Sequence, residues 1–134
     1  MTLYYLDTSI WLDFHEKRGE NGEHALKLII NIIALNEVIL FSDLHIREFK
    51  NVGYSLDELS GILQLVKPLN LRRIHVNRNQ IAEARRLAVH RNVPAKDALH
   101  AVLARDNDAV MFSRDRHFAR LRDVVETKRP EELY

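Results

Sequence analysis

Four acidic side chains stand where short apolar runs give way to polar sequence. Asp7 follows Tyr4-Tyr5-Leu6 directly, and two residues separate Asp115 from a run ending at Phe112. Glu48 lies one turn into a helical pattern that begins near Asp43, and Asp97 lies in the first turn of a pattern that opens at Pro94. Successive members are 41, 49 and 18 residues apart, so no local salt-bridge ladder along one helix explains them. Brought together, they would repel one another and take up protons, because like charges sharing a site raise each other's pKa. A divalent cation removes that penalty. Oxygen donors without cysteine or paired histidine select Mg²⁺ or Mn²⁺ over zinc. Such ions lower the pKa of a bound water and neutralise charge on a phosphoryl group, which is the chemistry of phosphodiester hydrolysis. Taken singly, each acid has a plainer reading: Asp7 as a helix N-cap, Asp97 as a first-turn carboxylate favoured by the helix dipole, Asp115 as a turn former, Glu48 as a solvated helix residue.

Whether the four meet depends on the elements that carry them. Short β-rich runs at Leu3–Leu6, Val38–Phe41, Arg73–Val76, Val110–Phe112 and Val124–Val125 read as five strands. Between them lie helical patterns. His24–Leu35 has apolar residues at Ala25, Leu28, Ile29, Ile32 and Ile33, which bury most of a helix circumference. Ser55 with Glu58 opens a helix that runs through Val66 and stops at Pro68, and Asn77 with Gln80 opens another over Ile81–His90. Pro94 suits the first turn of a helix over Ala95–Ala104, where its missing N–H costs nothing. Short strands alternating with helices predict an α/β fold: a three-layer α/β/α sandwich with a five-stranded parallel sheet. Ligands of such sheets bind at the carboxyl ends of the strands, where strand order reverses, so residues just after each strand are the candidates.

The composition agrees with this architecture. With 134 residues, 46% hydrophobic and 29% charged, the chain reads as a single domain over 1–134. Cysteine is absent, which excludes thiol nucleophiles, iron–sulfur ligation and Cys-rich zinc sites and fits a reducing, cytoplasmic setting. The most apolar stretch, Leu26–Phe41, is interrupted by Lys27, Asn31, Asn36 and Glu37, and the start carries no basic leader, so neither a membrane span nor a secretion signal is expected. The formal charge is +1, but residues 1–70 hold 6 basic and 10 acidic side chains, whereas 71–134 hold 14 and 9. That asymmetry suits a polyanionic ligand, and it also arises by chance on solvated helix faces.

These residues, with their neighbours, resemble the PIN-domain family of metal-dependent ribonucleases, and within it the small VapC-type toxins. Leu6-Asp7-Thr8-Ser9 looks like the family's opening strand-plus-acid motif, and Glu48 in His45-Ile46-Arg47-Glu48-Phe49 falls at its second acid, a position for which Asp43 and Glu37 compete. Asp97-Ala98-Leu99-His100-Ala101-Val102-Leu103-Ala104 is similar to the family's helix with a leading Asp, and Ser113-Arg114-Asp115-Arg116-His117-Phe118 to its strand-end motif. The resemblance covers about residues 3–127. It implies an acidic pocket that hydrolyses RNA with Mg²⁺ or Mn²⁺. Asp7, Glu48 and Asp97 would bind metal directly, Asp115 would hold a second ion or orient water, and Thr8 and Ser113 would hold the carboxylates by hydrogen bonds. A cognate antitoxin protein and a homodimer are the partners it implies.

Other residues have competing readings. Arg114, Arg116 and Lys96 could steer phosphate toward the acids or serve as solvated, salt-bridging groups. His100 and His117 read first as packing or hydrogen-bonding neighbours, since no pair of the seven histidines has the spacing of a helical zinc motif. Trp11, Phe14 and Tyr4-Tyr5 read as core and only second as base-stacking groups. The helix through Glu23–Leu35 is apolar enough to form a homodimer interface or to accept an apolar partner segment, besides packing on the sheet. A receiver or haloacid-type phosphatase is disfavoured, because Thr8 and Ser9 stand where those sites need a second acid. The alternative to a nuclease is a PIN-like RNA-binding or assembly protein whose acids no longer hold metal.

Overall fold

The structure, a computed structural model, describes every residue except Leu65, Lys67 and Tyr134. Five strands form one parallel sheet: β1 (Leu3–Leu6), β2 (Val38–Ser42), β3 (Leu71–Ile74), β4 (Val110–Phe112) and β5 (Thr127–Lys128). Their spatial order is β3-β2-β1-β4-β5, so the chain winds one way from β1 to β3 and the other way through β4 and β5. The reversal lies between β1 and β4, where Leu6 pairs with Phe112, and Asp7 and Ser113 follow at the same rim.

Alternation of side chains along the strands divides the core in two. Tyr4, Leu6, Ile39, Phe41 and Phe112 face helices α1 (Thr8–His15), α2 (Gly19–Ala34), α3 (Asp43–Asn51) and α4 (Leu56–Gln64). Tyr5, Leu40 and Met111 face α5 (Arg78–Arg91) and α6 (Ala95–Asp106). The expected three-layer α/β/α sandwich is what forms. Trp11 and Tyr5 are fully buried, which makes both core residues rather than exposed stacking platforms.

Several boundaries depart from expectation. The fifth strand is Thr127–Lys128, not Val124–Val125, because the N–H groups of both valines turn back to the carbonyl of Leu121 at 2.9 and 3.0 Å and close a 3₁₀ segment over Arg116–Leu121. The third strand is shifted two residues toward the N-terminus, since Leu71 pairs with Ile39, while Val76 donates to the Asp43 carboxylate at 3.4 Å and leaves the sheet. Helix α2 begins at Gly19, five residues before His24. Gly22 permits this start: a Cβ there would lie 2.7 Å from the carbonyl oxygen of Asp13 and 3.0 Å from the backbone of Lys17, so only glycine lets α2 approach the end of α1 so closely. Helix α1, directly after Asp7, had no strong period of its own. The expected end of α4 before Pro68 falls partly on Leu65 and Lys67, outside the described residues.

Candidate active site

Each of the four acids is delivered by a different piece of this frame. Asp7 occupies the N-cap position of α1, yet its side chain makes no capping bond. It is buried, and its Oδ2 accepts instead from Ser9 Oγ at 3.0 Å and Ser113 Oγ at 2.9 Å. Asp97 is buried in the first turn of α6, and Glu48 is half-buried on α3. Asp115 caps the 3₁₀ segment, its Oδ1 accepting from the His117 N–H at 2.9 Å. All four line one cavity of about 240 Å³ at the reversal of strand order, together with Thr8, Ser9 and Lys96. Of the alternatives to Glu48, Asp43 faces away and binds Arg73 at 2.8 Å and His75 at 3.1 Å, and Glu37 precedes β2 at the opposite end of the sheet. Asp7 therefore makes no side-chain cap, whereas Asp115, read as a turn former, caps the 3₁₀ turn and lines the cavity as well.

The crowding is visible in the ionisation of Asp97. Burial, followed by the charges of Asp115 and Asp7, pushes its carboxyl up to about 6, against which a 2.9 Å contact with His117 Nδ1 acts. Glu48 goes the other way. Burial alone would raise it, but the His100 hydrogen bond and charge and the Thr8 hydroxyl outweigh that and hold it below the usual carboxylate range. Thr8 Oγ1 donates to Glu48 Oε1 at 2.9 Å. Ser113 Oγ donates to Asp7 and accepts the Asp115 N–H at 3.0 Å, so one hydroxyl ties together two of the acid-bearing segments.

Beneath the cavity lies a buried polar chain that sequence reasoning missed. His100 is fully buried on α6; its Nε2 bonds Glu48 Oε1, and its Nδ1 meets the Tyr5 hydroxyl at 2.5 Å. Tyr5 is held as a neutral phenol by burial, with its pKa raised well above the usual value, and lies 3.2 Å from Ser42 Oγ. Ser42 and His45 form a capping box at the start of α3. His45 Nδ1 accepts the Ser42 N–H at 3.0 Å, which leaves Nε2–H to donate to the Leu6 carbonyl at 2.6 Å. Burial, and then the charge of His100, drops the His45 pKa to about 3, so this ring is neutral. The chain thus runs from the backbone beside Asp7 to the carboxylate of Glu48 through groups that are each 0% exposed. The signal was present as Ser42-x-x-His45 after a strand and as Tyr5 on the strand face opposite Tyr4. A rule that admits only Glu or Gln at the third capping position does not see it.

The three basic candidates part ways. Lys96 is exposed at the edge of the acidic cavity, and Arg116 is exposed just beyond Asp115. Arg114 takes the salt-bridging alternative: both its terminal nitrogens bind the Glu131 carboxylate, at 3.0 and 2.6 Å, which fixes the C-terminal 3₁₀ turn (Pro130–Glu132) against β4. His117, read as a packing group, lies within 2.9 Å of Asp97 and 3.0 Å of Asp115, and the three can together contribute ligand atoms to one ion. Among the described residues no helix is long and apolar enough to cross a membrane.

The same frame recurs in solved proteins. A VapBC2 complex from Rickettsia felis bound to a promoter DNA fragment matches with a TM-score of 0.68 at 19% identity, covering 96% of this chain and 98% of that one. A toxin–antitoxin complex from Klebsiella pneumoniae matches at 0.69 and 14% identity over 95% and 97% of the two chains. VapBC-1 from nontypeable Haemophilus influenzae matches at 0.67 and 16% identity over 97% and 99%. At these identities the likeness is one of fold. No curated protein matches the sequence. The sequence profile of the PIN domain matches residues 4–124, a span that takes in all four acids, and the chain belongs to the PIN-domain family.

Proposed function

We propose that the protein is a Mg²⁺- or Mn²⁺-dependent endoribonuclease and the toxin of a type II toxin–antitoxin pair in the cytoplasm. The observation that carries the reading is the convergence of Asp7, Glu48, Asp97 and Asp115 on one cavity, where burial and then the charges of Asp115 and Asp7 push Asp97 up to about 6. A site that costs stability without its ligand is arranged for the ligand. The donors fit a hard divalent cation: they are carboxylate oxygens with the imidazoles of His117 and His100 beside them, and the chain has no thiol to offer zinc. Asp7, Glu48 and Asp97 would hold the ion, with Asp115 holding a second or orienting water. When bound, such an ion lowers the pKa of water and neutralises phosphoryl charge. Ser9 and Ser113 keep the Asp7 carboxylate turned into the cavity, and Thr8 and His100 do the same for Glu48. Hydrolysis puts the water oxygen on phosphorus, breaks the P–O3′ bond and leaves a 5′-phosphate and a 3′-hydroxyl.

The antitoxin partner is supported by the VapBC and toxin–antitoxin complexes among the structural neighbours. It is also supported by an apolar groove of about 750 Å³ between α1 and α2, where Leu26 and Ile30 stand exposed at 44% and 53%. The same exposed residues are the ones a homodimer would use. The test is cleavage of single-stranded RNA with Mn²⁺, with and without chelator, by the wild type and Asp7→Asn, alongside calorimetric titration of Mn²⁺. Metal-dependent cleavage and metal uptake that both vanish in the variant are expected. RNA binding without metal uptake would establish the inactive RNA-binding or assembly protein instead.

A further inference from the structure

On the β5 side the acidic cavity adjoins a second one of about 560 Å³, and the two share Asp115 in their walls. The wall of the second cavity carries Arg116, Arg122 and Arg129, all exposed. Among the described residues none of these guanidinium groups has a hydrogen-bond or ion-pair partner. Arg73, Arg91, Arg105 and Arg114, by contrast, are each matched to a carboxylate within 3 Å. Carboxylates are within reach on the same wall, but Glu132 is turned back to accept the Arg129 backbone N–H at 2.6 Å, and Glu126 pairs with none of the three. The wall also contains two buried polar atoms without a partner, Arg114 Nε and Thr127 Oγ1. On the other side of the acids, beyond β2 and β3, the Asp43 carboxylate pairs with Arg73 and contacts His75. Within the cavity that adjoins the acids, positive charge is left unpaired at Arg116, Arg122 and Arg129.

We infer that this arginine wall is the track for one flank of the RNA strand, taking the phosphates that neighbour the scissile one, with Arg116, Arg122 and Arg129 as substrate-positioning residues. The inference rests on the nuclease reading and adds a direction to it. Three unpaired like charges on one concave wall repel one another, and a polyanion relieves this while meeting planar guanidinium donors with phosphate oxygens. Such contacts fix register and orientation without reading sequence. They also counter the repulsion that four carboxylates exert on an incoming strand, and they do so beside the acids, where steering has most effect.

The test measures binding and cleavage separately. A fluorescent single-stranded RNA of about twelve nucleotides is titrated in EDTA, where no cleavage occurs, against three proteins: wild type, the triple Arg116→Ser/Arg122→Ser/Arg129→Ser, and a charge-matched control, Arg78→Ser/Arg85→Ser/Arg86→Ser on α5. The wall triple should weaken binding about tenfold or more at low salt and reduce the slope of log K against log salt by about 2, near 0.7 for each lost contact. The control should change neither. With Mn²⁺, trimming the RNA on one side of the cut should lower kcat/KM for the wild type and not for the wall triple. Equal losses in the two triples, an unchanged slope, or displacement of RNA by oligoglutamate as readily as by unlabelled RNA would overturn the track. Wild-type RNA cleavage that persists unchanged in the wall triple would overturn it while leaving the nuclease reading intact. Absence of wild-type cleavage would fell the nuclease reading, and the EDTA titration would still decide the wall. Single Arg122→Ser, on an exposed side chain, serves if the triple is unstable.

Discussion

Replacing Asp97 by Asn should make the metal-free protein more stable at neutral pH while abolishing its activity. In the folded chain this carboxyl titrates near 6 against an ordinary 3.8, because it is buried and faces Asp115 and Asp7. A shift of about 2 units corresponds to about 3 kcal/mol at most, and the open side of the cavity screens part of it. Asn also gives up the favourable interaction of an anion with the first turn of α6, about 0.3–1 kcal/mol. The expected net gain is thus about 1–2 kcal/mol, or roughly 3–7 °C in Tm for a chain of this length. The sign with pH follows from linkage. Between about 4 and 6 the native state holds a proton that the unfolded state has lost, so the Asp97 penalty is absent below 4, grows through that window and is complete above about 7. The gap between variant and wild type should be flat at pH 7–8 and close on acidification toward pH 4. The difference between the two proteins must be read, because His45, with its pKa dropped to about 3, works in the opposite direction below about 6.5 and partly hides the trend in the wild type alone. Saturating Mn²⁺ should reverse the order, raising the wild type by about 2.7 kcal/mol at a hundredfold excess over Kd and the variant far less. Thermal melts across pH 4–8, in EDTA and in Mn²⁺, measure all of this. A variant less stable than the wild type in EDTA at pH 7.5, or a gap independent of pH, would refute the claim that burial beside Asp115 and Asp7 raises the Asp97 carboxyl.

Tyr5→Phe should cost about 1–3 kcal/mol in urea unfolding, since it strands His100 Nδ1 in a dry interior; a loss below about 0.3 kcal/mol, within the scatter of such measurements, would mean that the buried chain holds nothing. Its Mn²⁺ affinity should fall as well, through the loosened Glu48, and calorimetry can check it. Gly22→Ala should destabilise by about 1–3 kcal/mol, because the new methyl meets backbone rather than a side chain that can swing away; an unchanged melting temperature would show that α1 and α2 separate freely. Glu131→Gln should cost less than about 1 kcal/mol, as expected for a partly exposed ion pair, and the cost should shrink as pH falls through the carboxylate range, because Arg114 lowers the Glu131 pKa. Urea melts at pH 7 and pH 4 compare the two.

The positions most readable in the sequence were those where one local rule and the global fold agree. Asp7 after an apolar tetrad, Asp97 in a first turn and Ser113 at a strand end are each marked by the boundary of an element, and a parallel sheet puts all strand ends of one sense on one rim. Less readable were edges and long-range pairs. A two-residue edge strand such as Thr127–Lys128 carries no period, and the apolar pair Val124–Val125 invited the wrong assignment because burial under a 3₁₀ segment needs the same residue types as a strand. Arg114 could not be separated from Arg116 by sequence, since the difference is Glu131, seventeen residues away and brought back only by the final turn. The buried chain from His45 to Glu48 shows the same limit in its sharpest form. Its members come from β1, β2, α3 and α6, each locally looks like ordinary core or cap, and only the sheet order makes them neighbours. That order has a consequence for the site. Glu48 comes from α3, which follows β2 and not the reversal between β1 and β4, and it is hydrogen-bonded to the buried His100. An acid that comes from farther along the frame needs a separate tether, and the polar chain supplies it from the same strand that presents Asp7.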